Sequence, residues 1–415
     1  MGKLVNFAAG AELKKRPDKA NDYLISVPEH ASSPRLLEKA IALCQDVQPK
    51  HLMVDSGGFQ LLTAEQKGWK ISHDPYCQLT YKFGKEINLA PRHVMEFASK
   101  LGADIVIGLD FPIGKLKTVD EREIEFYKKL KLNVRWAFES EVWKRRLCPE
   151  AQLFLPIQAY NLKQLDIIFS RISEIQYDGV AIPIREAKLH EIALFLTSFY
   201  QRGIQQVHLL GTASFLKIAI TAFMANNGFN WTSLDAASWN KSAVHCGFLS
   251  PQNLKQIDLR RTAKLNPCSF NDCRCRYCQG RSFGEIQNLP SKEKFELLRQ
   301  HNWLAIEGAV ADIKAHSTNL IQLERFLKDR DVKPAEIDNL INTLALVDCL
   351  KNDDIEVLQT ILAPAPKGRK LTNPISRPKK LTRRSQNQTQ LTHRPVSKSV
   401  RVGGPEQNEK VLRED

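Results

Sequence analysis

Four polar residues stand where short apolar runs end. They are Asp55 after His51-Leu52-Met53-Val54, Asp110 after Ile105-Val106-Ile107-Gly108-Leu109, Gln158 after Leu153 to Ile157, and Asp235 after Trp231-Thr232-Ser233-Leu234. Carboxylates gathered at one site can divide nucleophilic from acid–base duty, because neighbouring acids push their pKa values apart. Asp55 opens the hexapeptide Asp55-Ser56-Gly57-Gly58-Phe59-Gln60. Its two glycines let backbone approach a ligand without Cβ obstruction, and Phe59 offers a face for a flat heterocycle. A plainer use competes at each position. An Asp or Ser after a strand can cap the next helix, and Gln158 can satisfy loop backbone.

A second chemistry lies in Cys273, Cys275 and Cys278, three thiols within six residues. Such spacing brings three thiolates within reach of one small cation, and a tetrahedral Zn2+ wants a fourth N or S ligand. His301, at the end of an amphipathic helical stretch, Cys268 and His316 are the candidates, and an iron–sulfur cluster is the alternative metal group. A closed site of this kind is structural: it pins a loop and performs no reaction. The nine cysteines of the chain are an odd number and are clustered, which argues against a disulfide framework and for a cytoplasmic protein.

Elements must carry these residues to one place. The apolar runs at 51–55, 104–110, 153–158, 179–183, 206–211 and 231–235 read as buried parallel strands. Amphipathic helical stretches separate them, over Pro91 to Lys100, Asp120 to Arg146, Leu162 to Glu174 and Ala187 to Arg202. Strand–helix alternation means an α/β fold, and polar residues at the carboxyl ends of the strands favour a closed (β/α)8 TIM barrel, which gathers them at one mouth. We therefore expect a catalytic barrel over residues 1–262 and a zinc-binding subdomain with the closing barrel helices over 263–330. A helical extension over 331–362 and a disordered basic tail over 363–415 complete the expected layout. Helices are expected at Ser291–His301, Ala305–Asp329 and Pro334–Leu362.

Charge is uneven. Of a formal net charge of +14, eleven Lys and Arg fall between Ala363 and Pro405, a stretch without Asp or Glu. Such a run suits a loose electrostatic anchor for phosphates or a docking segment. No stretch approaches the roughly 18 continuous apolar residues of a membrane span, and the first residues have no apolar signal core. No membrane partner is expected.

The hexapeptide together with the Cys-X-Cys-X-X-Cys cluster resembles the guanine transglycosylase family, whose tRNA-acting members exchange an encoded guanine for a 7-deazaguanine. Further segments resemble that family in the same order. They are Leu89 to Ile105, Gly108-Leu109-Asp110, Arg135-Trp136-Ala137, Ile157-Gln158, Leu210-Gly211-Thr212, and Leu234-Asp235-Ala236-Ala237-Ser238-Trp239 in its archaeal form. His301-Asn302-Trp303 resembles the zinc-ligand segment, so the resemblance runs from about residue 50 to 310. It implies a TIM barrel, one structural Zn2+ on Cys273, Cys275, Cys278 and His301, and base exchange at an N-glycosidic bond. Asp235 would be the covalent nucleophile at C1′, as in retaining glycosidases, and Asp55 the general acid/base. Ser56, Gly57, Phe59, Asp110, Gln158 and Gly211 would bind substrate, with Asp110 and Gln158 reading the Watson–Crick edge of guanine. The target base must leave its stack, and Arg260, Arg261, Lys264, Arg274, Arg276 and Arg281 would meet phosphates.

The sequence departs from the family at Pro183-Ile184-Arg185-Glu186, where a Gly-Gly pair is usual, and at Trp239-Asn240-Lys241, where bacterial members carry Thr-Arg. The large C-terminal RNA-binding modules of archaeal tRNA members are not seen. These departures and the basic tail resemble the DNA-modifying branch, which inserts 7-cyano-7-deazaguanine (preQ0) into DNA beside a ParB-like ATPase partner. Action on tRNA is the alternative. A non-catalytic nucleic-acid-binding subunit and a hydrolytic glycosylase are the weaker ones.

Overall fold

A computed structural model describes residues 2–350, apart from 13–14, 28–33, 70, 73–76, 82–84, 115–117, 185–186, 212–213, 261–272 and 274. The basic tail lies outside the described residues. Eight parallel strands close a barrel: β1 (Lys3–Ala9), β2 (Asp22–Ser26), β3 (His51–Asp55), β6 (Ile105–Ile107), β7 (Gln152–Pro156), β8 (Gly179–Pro183), β9 (Gln206–Leu210) and β10 (Trp231–Ala236). Each strand pairs with the next in that order, and β10 closes on β1 with Asp235 opposite Phe7. This is the expected TIM barrel. The six anticipated strands are all present. β1 and β2, which lie before the first motif, add two strands to the six expected.

Helices α1 (Pro34–Val47), α2 (Gly58–Gln66), α3 (Pro91–Leu101), α4 (Val119–Leu147), α5 (Leu162–Arg171), α6 (Leu189–Gln201) and α7 (Phe215–Asn227) lie between the strands. An antiparallel hairpin, β4 (Cys77–Tyr81) with β5 (Lys85–Leu89), is inserted between α2 and α3. After β10 come α8 (Ser238–Val244), the antiparallel pair β11 (Gly247–Leu249) and β12 (Gln256–Asp258), then α9 (Phe283–Asn288) and α10 (Ser291–His316). Finally come α11 (Leu320–Lys328) and α12 (Pro334–Leu350). Helix α10 runs unbroken through His301, so that residue sits mid-helix and not at a helix end as expected. The break falls instead at Ser317–Asn319, where the Asn319 side chain accepts Gln322 N–H at 2.9 Å and caps a new helix.

Alternate strand residues fill the lumen: Val5, Phe7, Ala9, Leu24, Met53, Ile105, Ile107, Phe154, Ala181 and Trp231 pack as one buried cluster. Trp231 meets Phe7 and Phe154 with ring centroids 6.2 and 5.3 Å apart. Burying each such ring stabilises the barrel by about 2 kcal/mol or more. The larger core lies between strands and helices. The period of two therefore points Asp55, His208, Ser233 and Asp235 inward, on the same strand faces as this cluster.

Among the helices, α4 matters most for the site. Thr118 and Glu121 form a reciprocal capping box at its start, and Lys144, Arg145 and Arg146 meet its carboxyl end. A helix so fixed at both ends is a firm mount for the side chains it sends toward the barrel mouth.

Candidate active site

Two constellations occupy the carboxyl ends of the strands. The first is built on β3, β6 and β7. Asp110 is buried, and its Oδ2 accepts Gln158 Nε2–H at 2.5 Å, while Gln158 Oε1 accepts Ile113 N–H at 3.2 Å. Burial, followed by the charge of Asp55, pushes the Asp110 carboxyl up to about 7; the Gln158 hydrogen bond opposes this shift. Gly58 lies against it so closely that a Cβ there would sit 2.2 Å from Asp110 Oδ1 and 2.9 Å from its backbone oxygen. Only glycine fits. Gly57 precedes it as the N-cap of α2, and the Ser56 hydroxyl is buried without a hydrogen-bond partner among the described residues. Phe59 is 53% exposed, as a stacking platform would be.

The loop after Asp110 is tied to helix side chains. Phe111 N–H donates to Asn133 Oδ1 at 2.7 Å, and Asn133 Nδ2 returns a bond to Phe111 O at 3.2 Å. Lys129 Nζ, buried on α4, donates to Pro112 O at 2.9 Å and Glu65 Oε2 at 2.6 Å and lies over the Phe111 ring. Tyr160 OH bonds the carbonyls of Ile113 and Gly114 at 3.1 and 2.7 Å.

The second constellation is built on β9 and β10. Asp235 keeps 8% of its surface exposed, and its Oδ1 accepts Gly211 N–H at 2.6 Å. Gly211 holds φ of 90°, a left-handed value that favours glycine. His208, which the motif reading passed over, stands with Nε2 3.5 Å from the same oxygen. Its placement inside β9 with period two was a legible signal, but nothing local separates it from a core histidine. Going round the barrel, β1 and β2 lie between Asp235 on β10 and Asp55 on β3. Pro183 is exposed and Ile184 buried, and Lys217 Nζ donates to Ile184 O at 2.5 Å. Arg185 and Glu186 lie outside the described residues.

Behind the second constellation sits the metal centre. Cys273, Cys275 and Cys278 place Sγ 3.3, 3.4 and 3.4 Å from His301 Nδ1, and all four ligand atoms lie within 4.8 Å of one another. A Zn2+ ion bound about 2.3 Å from sulfur and 2.0 Å from nitrogen needs such a tetrahedron. His301 Nε2 bonds Leu249 O at 2.8 Å, which leaves Nδ1 as the ligand atom. Phe248 stacks on the imidazole at 3.8 Å. Of the other candidates, His316 bonds its own helix at Asp312 O and stacks on Phe326, and Cys268 lies outside the described residues. Asn302 ties α10 to Leu249 N, Gly247 O and Trp239 O. Trp239 Nε1 in turn bonds Ala9 O at 3.1 Å. Arg276 pairs with Asp18, and Tyr277 OH donates to the same carboxylate at 2.8 Å, so the metal loop holds the β1–β2 connection. Arg260 is paired with Asp258, whereas Arg261, Lys264 and Arg274 lie outside the described residues.

A family model described as queuine tRNA-ribosyltransferase matches residues 21–330. The chain belongs to the guanine transglycosylase family. Among curated relatives, the transglycosylases named tRNA-guanine(15) transglycosylase from Pyrococcus abyssi and Pyrococcus furiosus are 25% and 23% identical to it over 267 residues. Each match takes in 63% of this chain and 39% of the relative. The enzyme of the same name from Methanococcus maripaludis strain C5 is 23% identical over 230 residues, 52% of this chain and 32% of its own length. The chain therefore spans about two-fifths of the length of the first of these relatives. The three-cysteine, one-histidine centre fits the structural zinc of a guanine transglycosylase. Among the described residues no helix is long and apolar enough to cross a membrane.

Proposed function

We infer that this guanine transglycosylase exchanges guanine in a nucleic acid for a 7-deazaguanine base through a glycosyl–aspartate intermediate. The observation that carries the reading is Asp110 held against Gln158 and Gly58, with Asp55 acting on its charge. An ionised Asp110 accepts N1–H and the 2-amino group of guanine, and the second Nε2 proton of Gln158 suits O6. Phe59 would stack on the ring and Ser56, Gly57 and Gly211 would line the pocket. Asp235 attacks C1′; the C1′–O bond forms as C1′–N9 breaks, and Asp55 gives the departing guanine its proton. The incoming base then loses its N9 proton to Asp55 and attacks C1′, which frees Asp235. Zinc, held by Cys273, Cys275, Cys278 and His301, supplies a fixed scaffold.

For the polymer we assign DNA, with 7-cyano-7-deazaguanine entering. The Pro183-Ile184 wall departs from the Gly-Gly pair usual in the family, and the basic run from Ala363 to Pro405 offers the sequence-independent attraction a duplex presents along its length. The enzyme would work in the cytoplasm, where zinc thiolates stay reduced, beside a ParB-like ATPase partner. A tRNA substrate is the second reading, favoured by what the relatives are named for.

The test supplies radiolabelled guanine or 7-cyano-7-deazaguanine with duplex DNA and, separately, bulk tRNA. Label in DNA is expected. Label in tRNA alone overturns the polymer, and abasic sites without label overturn exchange in favour of hydrolysis. Label incorporated by Asp235→Ala at the wild-type rate overturns the nucleophile.

A further inference from the structure

Beneath Asp235 the lumen holds a polar pair that the roles above leave unused. His208 on β9 is in register with Ser233 on β10, and neither has any exposed surface. The imidazole Nδ1 lies 2.7 Å from Ser233 Oγ. Among the described residues its Nε2 has no hydrogen-bond partner, and Asp235 Oδ1 lies 3.5 Å from it. Phe7 meets the ring edge-on at 6.0 Å. A barrel lumen otherwise lined by Phe, Trp, Met, Ile, Leu, Val and Ala has no packing reason to hold an orphaned ring nitrogen there, since an unsatisfied buried polar atom costs free energy.

Geometry also selects the tautomer. With the proton on Nδ1, the Nε2 lone pair would face a carboxylate oxygen across 3.5 Å, which is repulsive. With Ser233 Oγ–H donating to Nδ1, the proton sits on Nε2, the nitrogen 3.5 Å from Asp235 Oδ1. Oδ1 then has two donor nitrogens near it, Nε2 at 3.5 Å and Gly211 N–H hydrogen-bonded at 2.6 Å.

We propose that His208 is a positioning residue for Asp235: its Nε2–H and the Gly211 N–H hold Oδ1, which leaves Oδ2 as the atom that bonds to C1′. The proposal rests on the reading of Asp235 as the nucleophile. In the glycosyl ester Oδ1 becomes the carbonyl oxygen and keeps both donors. When N9 of the incoming base attacks C1′, the C1′–Oδ2 bond breaks and its electron pair returns to the carboxylate. Two donors fixed on Oδ1 stabilise that returning charge. The step that resolves the ester therefore gains more from His208 than the step that forms it, because in the first step the same donors also stabilise the attacking carboxylate. The 3.5 Å separation suits a contact that tightens only once the site is loaded.

The full chain with selectively 15N-labelled histidine gives a readout independent of substrate. A His208 signal of the Nε2–H form that moves in Asp235→Asn is expected; the Nδ1–H form, or a signal unmoved by Asp235→Asn, overturns the proposal. Kinetically, His208→Gln keeps a donor near the Nε2 position, whereas His208→Asn reaches only as far as Nδ1. With covalent protein–nucleic acid adduct followed on denaturing gels, His208→Asn should slow the chase of adduct by free guanine about tenfold to a hundredfold, with formation slowed less. His208→Gln should restore most of the loss. Equal loss in both half-reactions and in both variants, tracking a lower Tm, assigns His208 to packing and overturns the proposal. If Asp235→Asn still forms adduct, the nucleophile reading fails first; if it forms none and His208→Asn chases at the wild-type rate, this inference fails alone.

Discussion

The two sides of the barrel mouth are held by different means. Asp235 is fixed by neighbouring strands: its Oδ1 meets Gly211 at the end of β9, with His208 and Ser233 packed below in the lumen. Asp110 and Gln158 belong to loops, and those loops are fixed from outside by Asn133 and Lys129 on α4 and by Tyr160. Strand-held groups inherit the stiffness of the barrel. Loop-held groups can be reshaped by changing a helix without touching the sheet, which suits the side that would read the base. In the proposed reaction, a nucleophile that bonds to C1′ would gain from immobility, and a reader that accepts two bases in turn would gain from an adjustable mount.

The largest effect should come from the metal centre, which is tied through Asn302 and Trp239 to the segment after β10 and through Asp18 to the β1–β2 connection. Cys278→Ser should release zinc and lower stability by several kcal/mol, since a structural zinc contributes folding free energy directly. Hydrogen exchange should show 247–258 and 15–21 losing protection before 105–114. Simultaneous loss in both regions would mean the two sides are one cooperative unit.

Gly58→Ala attacks the other side. A Cβ 2.2 Å from Asp110 Oδ1 must displace the carboxylate or α2, and KM for free base should rise on the order of a hundredfold, while adduct formation at saturation stays within about threefold. Steady-state KM against single-turnover rate checks this.

A pH titration sharpens the comparison further. In the proposed role Asp110 would have to be ionised to accept guanine N1–H, and its carboxyl stands at about 7. Base affinity should therefore fall roughly tenfold per pH unit below about 7 and level off above it, as read by calorimetry. The sign for folding is opposite. Between the ordinary value of 3.8 and about 7 the unfolded chain ionises while the native carboxyl stays protonated. Stability from this residue thus declines as pH rises through that window, and Asp110→Asn should abolish the decline.

The smallest effect is expected for Lys129→Met, which keeps the buried stem and leaves Glu65 and the Pro112 carbonyl without their donor. KM for base should rise by about fivefold to tenfold with the single-turnover rate nearly unchanged. A matching loss in the single-turnover rate would show that the loop and Asp235 are coupled.

Much of this molecule could be read before folding. Runs such as 51–55 and 179–183 coincide with strands because parallel strands buried on both faces are continuously apolar. The metal ligands were legible because three sit within six residues. β1 and β2 escaped because a strand before the first motif has no repeat to mark it. The continuity of α10 through His301 escaped because the Asn302 side chain, polar in sequence, is consumed by Leu249, Gly247 and Trp239.

What the sequence by itself determined is local: which residues end strands, where two glycines adjoin, how closely three thiols are spaced. These follow from periodicity and chain geometry over a few residues. Only the tertiary structure decided the rest, because each feature is a meeting of distant segments. The barrel closes by pairing β1 with β10, more than two hundred residues apart in the chain. Asp110 titrates high because folding buries it and brings Asp55 near. Gly58 is obligatory because a carboxylate fifty-two positions later rests against it. His208 faces Asp235 because adjacent strands in register put one inward side chain beneath another, a relation that no single stretch of sequence contains.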